Sequence, residues 1–375
     1  MKIVVIGTFP EDISFIKGGV EASVYGLAKT LKDKLSVKVI SIPSRASEST
    51  KIKSDIIDGI NVDYLSTKKF LALGILHIPF ILKNIDKTDI VHIHATGLLQ
   101  FLLLLILRIK GINNVWTLHG ITEKETLNKY QKNKNLSNLL RYFFYLLIER
   151  LSIRIARKII VDTEYVKNEI GDIPKISVIP QGIFCEEFVD INKERDENLL
   201  LSIGVLNPRK GHHLTIESFA IVKKKFPFAK LVIAGAAPVN NYYEELQKLV
   251  IKLDLRDSVK FLINIPRSEI VALLKTANIF VLHSQEESQG IAICEALACG
   301  LPIVATKIGG IVNVVNDGSD GILVEYGNVE KFAKAISDIM TNKDLYNKIS
   351  DNARVASNRF DWKNIAHDII QVYYK

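Results

Sequence analysis

The chain has 375 residues, 48% hydrophobic and 24% charged, too long for one ordinary core and ample for two domains. With no low-complexity tract or repeat, this balance excludes a disordered, fibrous or solenoid protein. The formal charge of +8 is uneven, +9 over residues 1–185 and −1 over the rest, so the basic half suits lipid headgroups, phosphates or nucleic acid as readily as solvent.

The opening MKIVVIG enters a strand without a signal-peptide layout, which makes the cytoplasm the expected location. Short β-branched runs then alternate with longer amphipathic segments, the pattern of parallel sheets with crossover helices. In the first half, strands are expected at Lys2–Ile6, Ser36–Ile42, Ile90–His94, Asn114–Leu118, Lys158–Asp162 and Ile176–Ile179, with helices at Gly19–Leu31, Gly97–Lys110 and Leu136–Arg157. Two apolar runs, Phe70–Leu82 and Leu98–Leu107, fall short of the ~20 residues of a membrane span, and the second reads as a buried crossover helix. The polar stretch Cys185–Asn198 reads as a hinge. Strands resume at Leu199–Ile203, Lys230–Ala234, Val259–Leu262, Ile279–Leu282, Pro302–Ala305 and Gly321–Val324, separated by helices such as His212–Lys225, Tyr242–Leu253, Gln289–Cys299 and Val329–Met340. Two doubly wound α/β units in series are therefore expected, facing each other across a cleft, with ligands beyond the carboxyl ends of their strands. Cys185, Cys294 and Cys299 form no CxxC pair and read as small core residues.

The segment HSQEESQGIAICEALACGLPIVAT, residues 283–306, carries the strongest chemical signal. A strand ends near His283, a loop holds Glu286 and Glu287, and a helix starts near Gln289 with Glu295 about two turns in. Ionised carboxylates accept hydrogen bonds only, which suits a ligand rich in hydroxyl groups. The amides of Gln289, Gly290 and Ile291 at a helix start favour an anion, and Gly290 lets that backbone approach it closely. Arg209 and Lys210, in the turn NPRKG ahead of a helix, can stabilise charge growing on a leaving phosphate; a solvated basic turn is the plain alternative.

Glu287, seven residues, Glu295 and then Ala-Leu-Ala-Cys-Gly-Leu-Pro resembles the signature of family 4 retaining glycosyltransferases with the GT-B fold. GGVE (Gly18–Glu21), DIVHIH (Asp89–His94), TLHG (Thr117–Gly120), IPQGI (Ile179–Ile183), GVLNPRKGHH (Gly204–His213), IGGIVNVVNDGSDGILVE and RFDWKNIAHDIIQVYYK extend the resemblance over nearly the whole chain. It implies an acceptor-binding Rossmann-like domain (1–185), a nucleotide-sugar-binding one (186–358) and a C-terminal helix (359–375) crossing back to the first. The implied reaction is metal-independent transfer, with retained configuration, of a hexosyl unit from a UDP- or GDP-sugar to a hydroxyl of a glycan or lipid-linked acceptor, in cell-surface polysaccharide or glycolipid synthesis. No cofactor and no nucleic-acid partner are implied, the nucleotide sugar being a substrate. Arg209, Lys210, Gly19, Gln289, Gly290, Ile291 and Glu295 would bind the donor, with Glu295 on the ribose. Gly18, His94 and His119 would serve the acceptor, and Glu287, His119, Arg209 and Lys210 the chemistry. The chain departs from the pattern at Val205, where an Arg is usual, at Gln289, where a Phe is usual, and at Phe184, where an Asp is common.

No Asp-x-Asp occurs. His92 and His94, two apart on one expected strand, are assigned to opposite faces and so to no shared metal. Leu136–Arg157 sets Tyr142, Phe143, Phe144 and Tyr145 beside Arg141, Arg150, Arg154 and Arg157. Its aromatic face is expected to pack in the core and its basic side to touch an anionic membrane at the inner face of the cytoplasmic membrane. Three rivals remain: a dinucleotide oxidoreductase, disfavoured because neither half opens with GxGxxG, a non-catalytic sugar-nucleotide or anionic-surface binding protein, and a same-fold epimerase.

Overall fold

The structure, a computed structural model, describes residues 2–16, 18–42, 52–66, 75–188, 195–236 and 241–374. Two compact units partition the chain: 1–11, 19–180 and 363–375 form the first, 12–18 and 181–362 the second. The change of unit at 180/181 precedes the stretch assigned to the hinge from composition, of which 189–194 lie outside the described residues. So do the first residues of the apolar run Phe70–Leu82.

The first unit runs β1 (Lys2–Gly7), α1 (Gly19–Leu31), β2 (Ser36–Ser41), β3 (Lys53–Ile57), β4 (Ile60–Tyr64), α2 (Ile78–Lys83), β5 (Ile90–His94), α3 (Leu98–Ile109), β6 (Asn113–Leu118), α4 (Thr122–Lys132), α5 (Leu136–Ile155), β7 (Lys158–Val161), α6 (Glu164–Ile170) and β8 (Ile176–Val178). Its strands lie in the order β3-β4-β2-β1-β5-β6-β7-β8, parallel except for the β3–β4 pair. Helices cover both faces, so β1 reads as an unbroken apolar run with Ile3 to Ile6 fully buried. On α3, Leu99, Leu103, Leu104 and Leu107 form the buried stripe of a crossover helix. The β3–β4 hairpin was not anticipated. Its turn is Asp58-Gly59, with φ of 50° and 74°, the left-handed pair that a two-residue hairpin requires.

The second unit runs β9 (Leu199–Ile203), α7 (His212–Lys225), β10 (Lys230–Gly235), α8 (Tyr242–Lys252), β11 (Val259–Ile263), α9 (Arg267–Thr276), β12 (Ile279–Leu282), α10 (Ile291–Ala298), β13 (Ile303–Thr306), α11 (Ile311–Val314), β14 (Gly321–Val324), α12 (Val329–Thr341) and α13 (Lys343–Ser357). Its six strands are all parallel in the order β11-β10-β9-β12-β13-β14. Alternate residues feed two cores: Leu200, Ile279 and Val281 join one, Leu201, Phe280 and Leu282 the other. Strand order reverses between β9 and β12, the switch point at which open sheets bind ligands.

The last helix, α14 (Trp362–Tyr374), returns to the first unit. There Lys158 Nζ donates to the Val372 carbonyl at 2.7 Å, and the Tyr373 hydroxyl lies 2.7 Å from His92 Nδ1.

Helix α5 departs from expectation. It buries Ile148, Glu149, Ser152 and Ile153, all in its C-terminal half, and its aromatic residues do not fill a core. Phe143 is 55% exposed and Phe144 42%. The face opposite the buried one runs Leu136, Leu140, Phe143, Leu147, Arg150, Arg154, all exposed. No described helix is long and apolar enough to cross a membrane.

Candidate active site

Two loops converge beyond the β9/β12 switch point. After β9, Asn207 caps a short 3₁₀ turn, Pro208–Lys210, by accepting from the Lys210 amide at 3.1 Å. Gly211 follows in the left-handed region at φ 63°, and a Cβ there would lie 1.9 Å from the His283 carbonyl oxygen, so only glycine fits. The Gln285 amide donates to the Arg209 carbonyl at 2.8 Å, which stitches this turn to the loop after β12. Lys210 Nζ donates to Glu287 Oε1, and Ser284 Oγ donates to the same oxygen at 3.0 Å. The Glu287 carbonyl accepts from the Gly310 amide at 2.8 Å, and a Cβ on Gly310 would sit 1.7 Å from the Ser288 carbonyl oxygen. A buried carboxyl is costly unless its oxygens are paired, and Lys210 with Ser284 supplies the partners. The ammonium keeps two further donors. Arg209 stands half-buried beside it.

Helix α10 begins at Ile291, two residues later than expected, because Gly290 takes φ 88° as its N-cap. The Gly290 and Ile291 amides donate to no group among the described residues, as a helix start that could hold an anion requires. Gln289 lies outside the helix, and its expected place beside the donor needs correction. Its side chain is 1% exposed; Oε1 accepts from the Gln181 amide at 2.7 Å, and Nε2 donates to the Gln181 carbonyl at 3.0 Å. Both ends of the amide are thus bound to backbone, leaving the side chain no free group for a sugar. Glu295 is buried on α10, where Oε1 accepts from Arg267 Nη1 at 2.5 Å. Ser284 and Arg267 were not anticipated: Ser284 stands in the 283–306 segment without marking itself as a partner of Glu287, and Arg267 belongs to no quoted motif and meets Glu295 only in three dimensions.

In the first unit the strand order reverses between β1 and β5. His94 closes β5, and a Cβ on Gly7, its neighbour at the end of β1, would come within 2.9 Å of His94 Cβ. His94 Nδ1 lies 2.9 Å from His119 Nε2, and His119 Nδ1 lies 3.5 Å from Asp162 Oδ2. The structure thus brings His94 and His119 together with Asp162, which sequence reasoning did not single out, and both His119 nitrogens face protein groups. The assignment of His92 and His94 to opposite faces is wrong. Side chains two apart on a strand share a face, and these two rings have centroids 4.3 Å apart. Burial, then the neighbouring His119, pushes His92 down to about 3, and burial also holds His94 well below the ordinary histidine value. Among the described residues no group of three or more His, Cys, Asp or Glu is placed to hold a metal ion. Gly18 and Gly19, at the start of α1, are exposed, and a Cβ on Gly18 would touch nothing within 4 Å, so packing does not explain that glycine.

Two Rossmann-like units in one chain, each with its polar residues at the carboxyl ends of parallel strands, make this a GT-B protein. The structure aligns over all of its length with HepE of Anabaena solved with UDP and glucose, at a TM-score of 0.76 and 22% identity with the whole of that chain covered. It aligns likewise with 98% of the sucrose-phosphate synthase of Thermosynechococcus elongatus, at 0.79 and 19%. Residues 17–187 match the model for Glycosyltransferase Family 4, and 184–356 match Glycosyl transferases group 1. An uncharacterised glycosyltransferase of Methanocaldococcus jannaschii is 26% identical over 362 residues, 95% of this chain and 94% of its own. The chain belongs to the family 4 glycosyltransferases.

Proposed function

We propose that the protein transfers a hexosyl unit, with retention of configuration and without a metal, from a UDP- or GDP-sugar to a hydroxyl of a glycan or lipid-linked acceptor. The observation that carries this is the Lys210–Glu287 pair, set beside Arg209 at the switch point of the second sheet. HepE, similar in fold, was solved with UDP and glucose, which supports a nucleotide-sugar donor here.

In this reading Arg209, Lys210 and the α10 start hold the diphosphate, Glu287 accepts from a sugar hydroxyl, and Glu295 accepts from the ribose. The bond from the anomeric carbon to phosphate oxygen breaks with its electron pair on the phosphate, where the two cations and the Gly290 and Ile291 amides stabilise it. The acceptor oxygen forms its bond to that carbon on the same face, and its proton passes to the departing phosphate oxygen. Gly18 and Gly19 lend backbone to the donor and acceptor, and the His94–His119 pair serves the acceptor side. The exposed face of α5 rests on the anionic inner surface of the cytoplasmic membrane, where a lipid-linked acceptor would lie.

The test is a thermal-shift panel of UDP-, GDP- and ADP-sugars, since a ligand of the native state raises its melting temperature, followed by transfer assays with the donor it selects. Lys210→Ala and Glu287→Ala should lower turnover by at least about a hundredfold, the scale of losing a preorganised electrostatic contact, with circular dichroism unchanged. Near-normal turnover in either variant would refute its assignment.

A further inference from the structure

Arg267, the first residue of α9, has no part in the roles above, yet it joins three pieces of the second unit. Its Nη1 donates to Glu295 Oε1 at 2.5 Å, while Nη2 and Nε donate to one oxygen of Glu187 at 3.0 and 3.3 Å. Glu187 ends the short turn Cys185–Glu187 that follows the change of unit. The guanidinium also lies 5.4 Å from the centre of the Phe188 ring, and Phe188 is fully buried. Burial disfavours the charge, but Glu295 and then Glu187 outweigh it and raise the pKa of Arg267. Glu295 Oε2 makes no hydrogen bond among the described residues.

We propose that Arg267 is a positioning residue for the donor nucleotide. By occupying Oε1 it fixes the rotamer of Glu295, so that Oε2 is presented to a hydroxyl of the ribose. The inference rests on the assignment of Glu295 to the ribose made above. Without the guanidinium, Glu295 and Glu187 lose the cation they share, and Glu295 loses the donor that holds Oε1. A lysine is a point charge and cannot fork between both acids as a planar guanidinium does.

The experiment uses whichever of UDP, GDP and ADP raises the melting temperature of the full chain most, together with its 2′-deoxy and 3′-deoxy forms. Dissociation constants are measured by calorimetry for the parent, Arg267→Met, Arg267→Lys and Glu187→Gln. The parent should prefer the ribonucleotide to at least one deoxy form. Arg267→Met should lose about tenfold in affinity for the ribonucleotide, equivalent to about 1.4 kcal/mol, and little for that deoxy form, so the preference collapses. Arg267→Lys should lie between, and it carries the test if the Met variant fails to fold; Glu187→Gln should weaken the preference less than either. A parent that discriminates alongside variants that discriminate equally would overturn the role of Arg267 and leave the ribose reading intact. A parent blind to the ribose hydroxyls would overturn both. Tighter binding by Arg267→Met would make the arginine a latch displaced by donor, which also overturns the proposal.

Discussion

Gln289 binds both ends of its amide to Gln181, 108 positions away, satisfying a backbone N–H and a carbonyl at the start of the second unit, and its Nε2 donates to Cys294 Sγ as well. A buried backbone group left unpaired costs about 1–3 kcal/mol, so this side chain acts on stability. Gln289→Ala should therefore lower the melting temperature while leaving the order of preference among nucleotide sugars unchanged; a switched preference would return the residue to the sugar. The same contrast explains what was legible at this scale. Glu287, Glu295, Arg209 and Lys210 stand in motifs whose charge and spacing announce them. Gln181 and Ser284 stand in motifs too, but their residue types do not reveal which partner they meet, and Arg267 reaches Glu295 only through the fold.

At the scale of elements, apolar β-branched runs with helices between them were enough to place the parallel strands of both sheets, because strands covered on both faces are mostly apolar, buried His92 at the centre of β5 being an exception. What was missed lies at the margins. The β3–β4 hairpin is short and only half-buried, although Asp58-Gly59 marks its turn, and the start of α10 is displaced by the left-handed Gly290. Helix α5 shows why periodicity alone misjudges a face. Its leucines and phenylalanines recur at helical spacing as a core stripe would, yet the stripe that packs is Ile148, Glu149, Ser152 and Ile153. The exposed line of Leu136, Leu140, Phe143 and Leu147 continues into Arg150 and Arg154, apolar residues to insert and cations to meet phosphate. Each basic residue near such a surface contributes about 1 kcal/mol. Phe143→Ser with Leu147→Ser should reduce co-sedimentation with phosphatidylglycerol vesicles several-fold, and Arg150→Gln with Arg154→Gln should abolish its dependence on salt. Equal sedimentation by all forms would remove α5 from the proposed membrane contact.

Over the whole molecule, the buried titratable groups set an acid limit whose sign differs between residues. Burial is the leading cause that pushes His212 and His283 down to about 4 and His92 to about 3, and it lowers His94 as well. Unfolded, these rings take a proton near pH 6.5, so below that value the unfolded chain binds more protons and stability falls with pH. Glu149 opposes them. Its burial raises it from 4.5 to about 7 even though it accepts the Thr122 and Glu123 amides at the start of α4. Between those values the native state holds the extra proton, so this group's contribution improves as pH falls through 7 and is complete below 4.5. Asp320 is shifted upward by burial too, so it acts in the same direction in the second unit. Four histidines against two carboxyls leave a net loss, and the melting temperature should fall from pH 7.5 to 5. Glu149→Gln removes one opposing group without removing the amide acceptor at α4. The variant should gain on the parent at pH 8, where a buried charge is replaced by a neutral amide, and surrender that gain progressively toward pH 5. A difference in melting temperature that stayed constant over this range, measured by scanning calorimetry, would show that Glu149 is not protonated by burial.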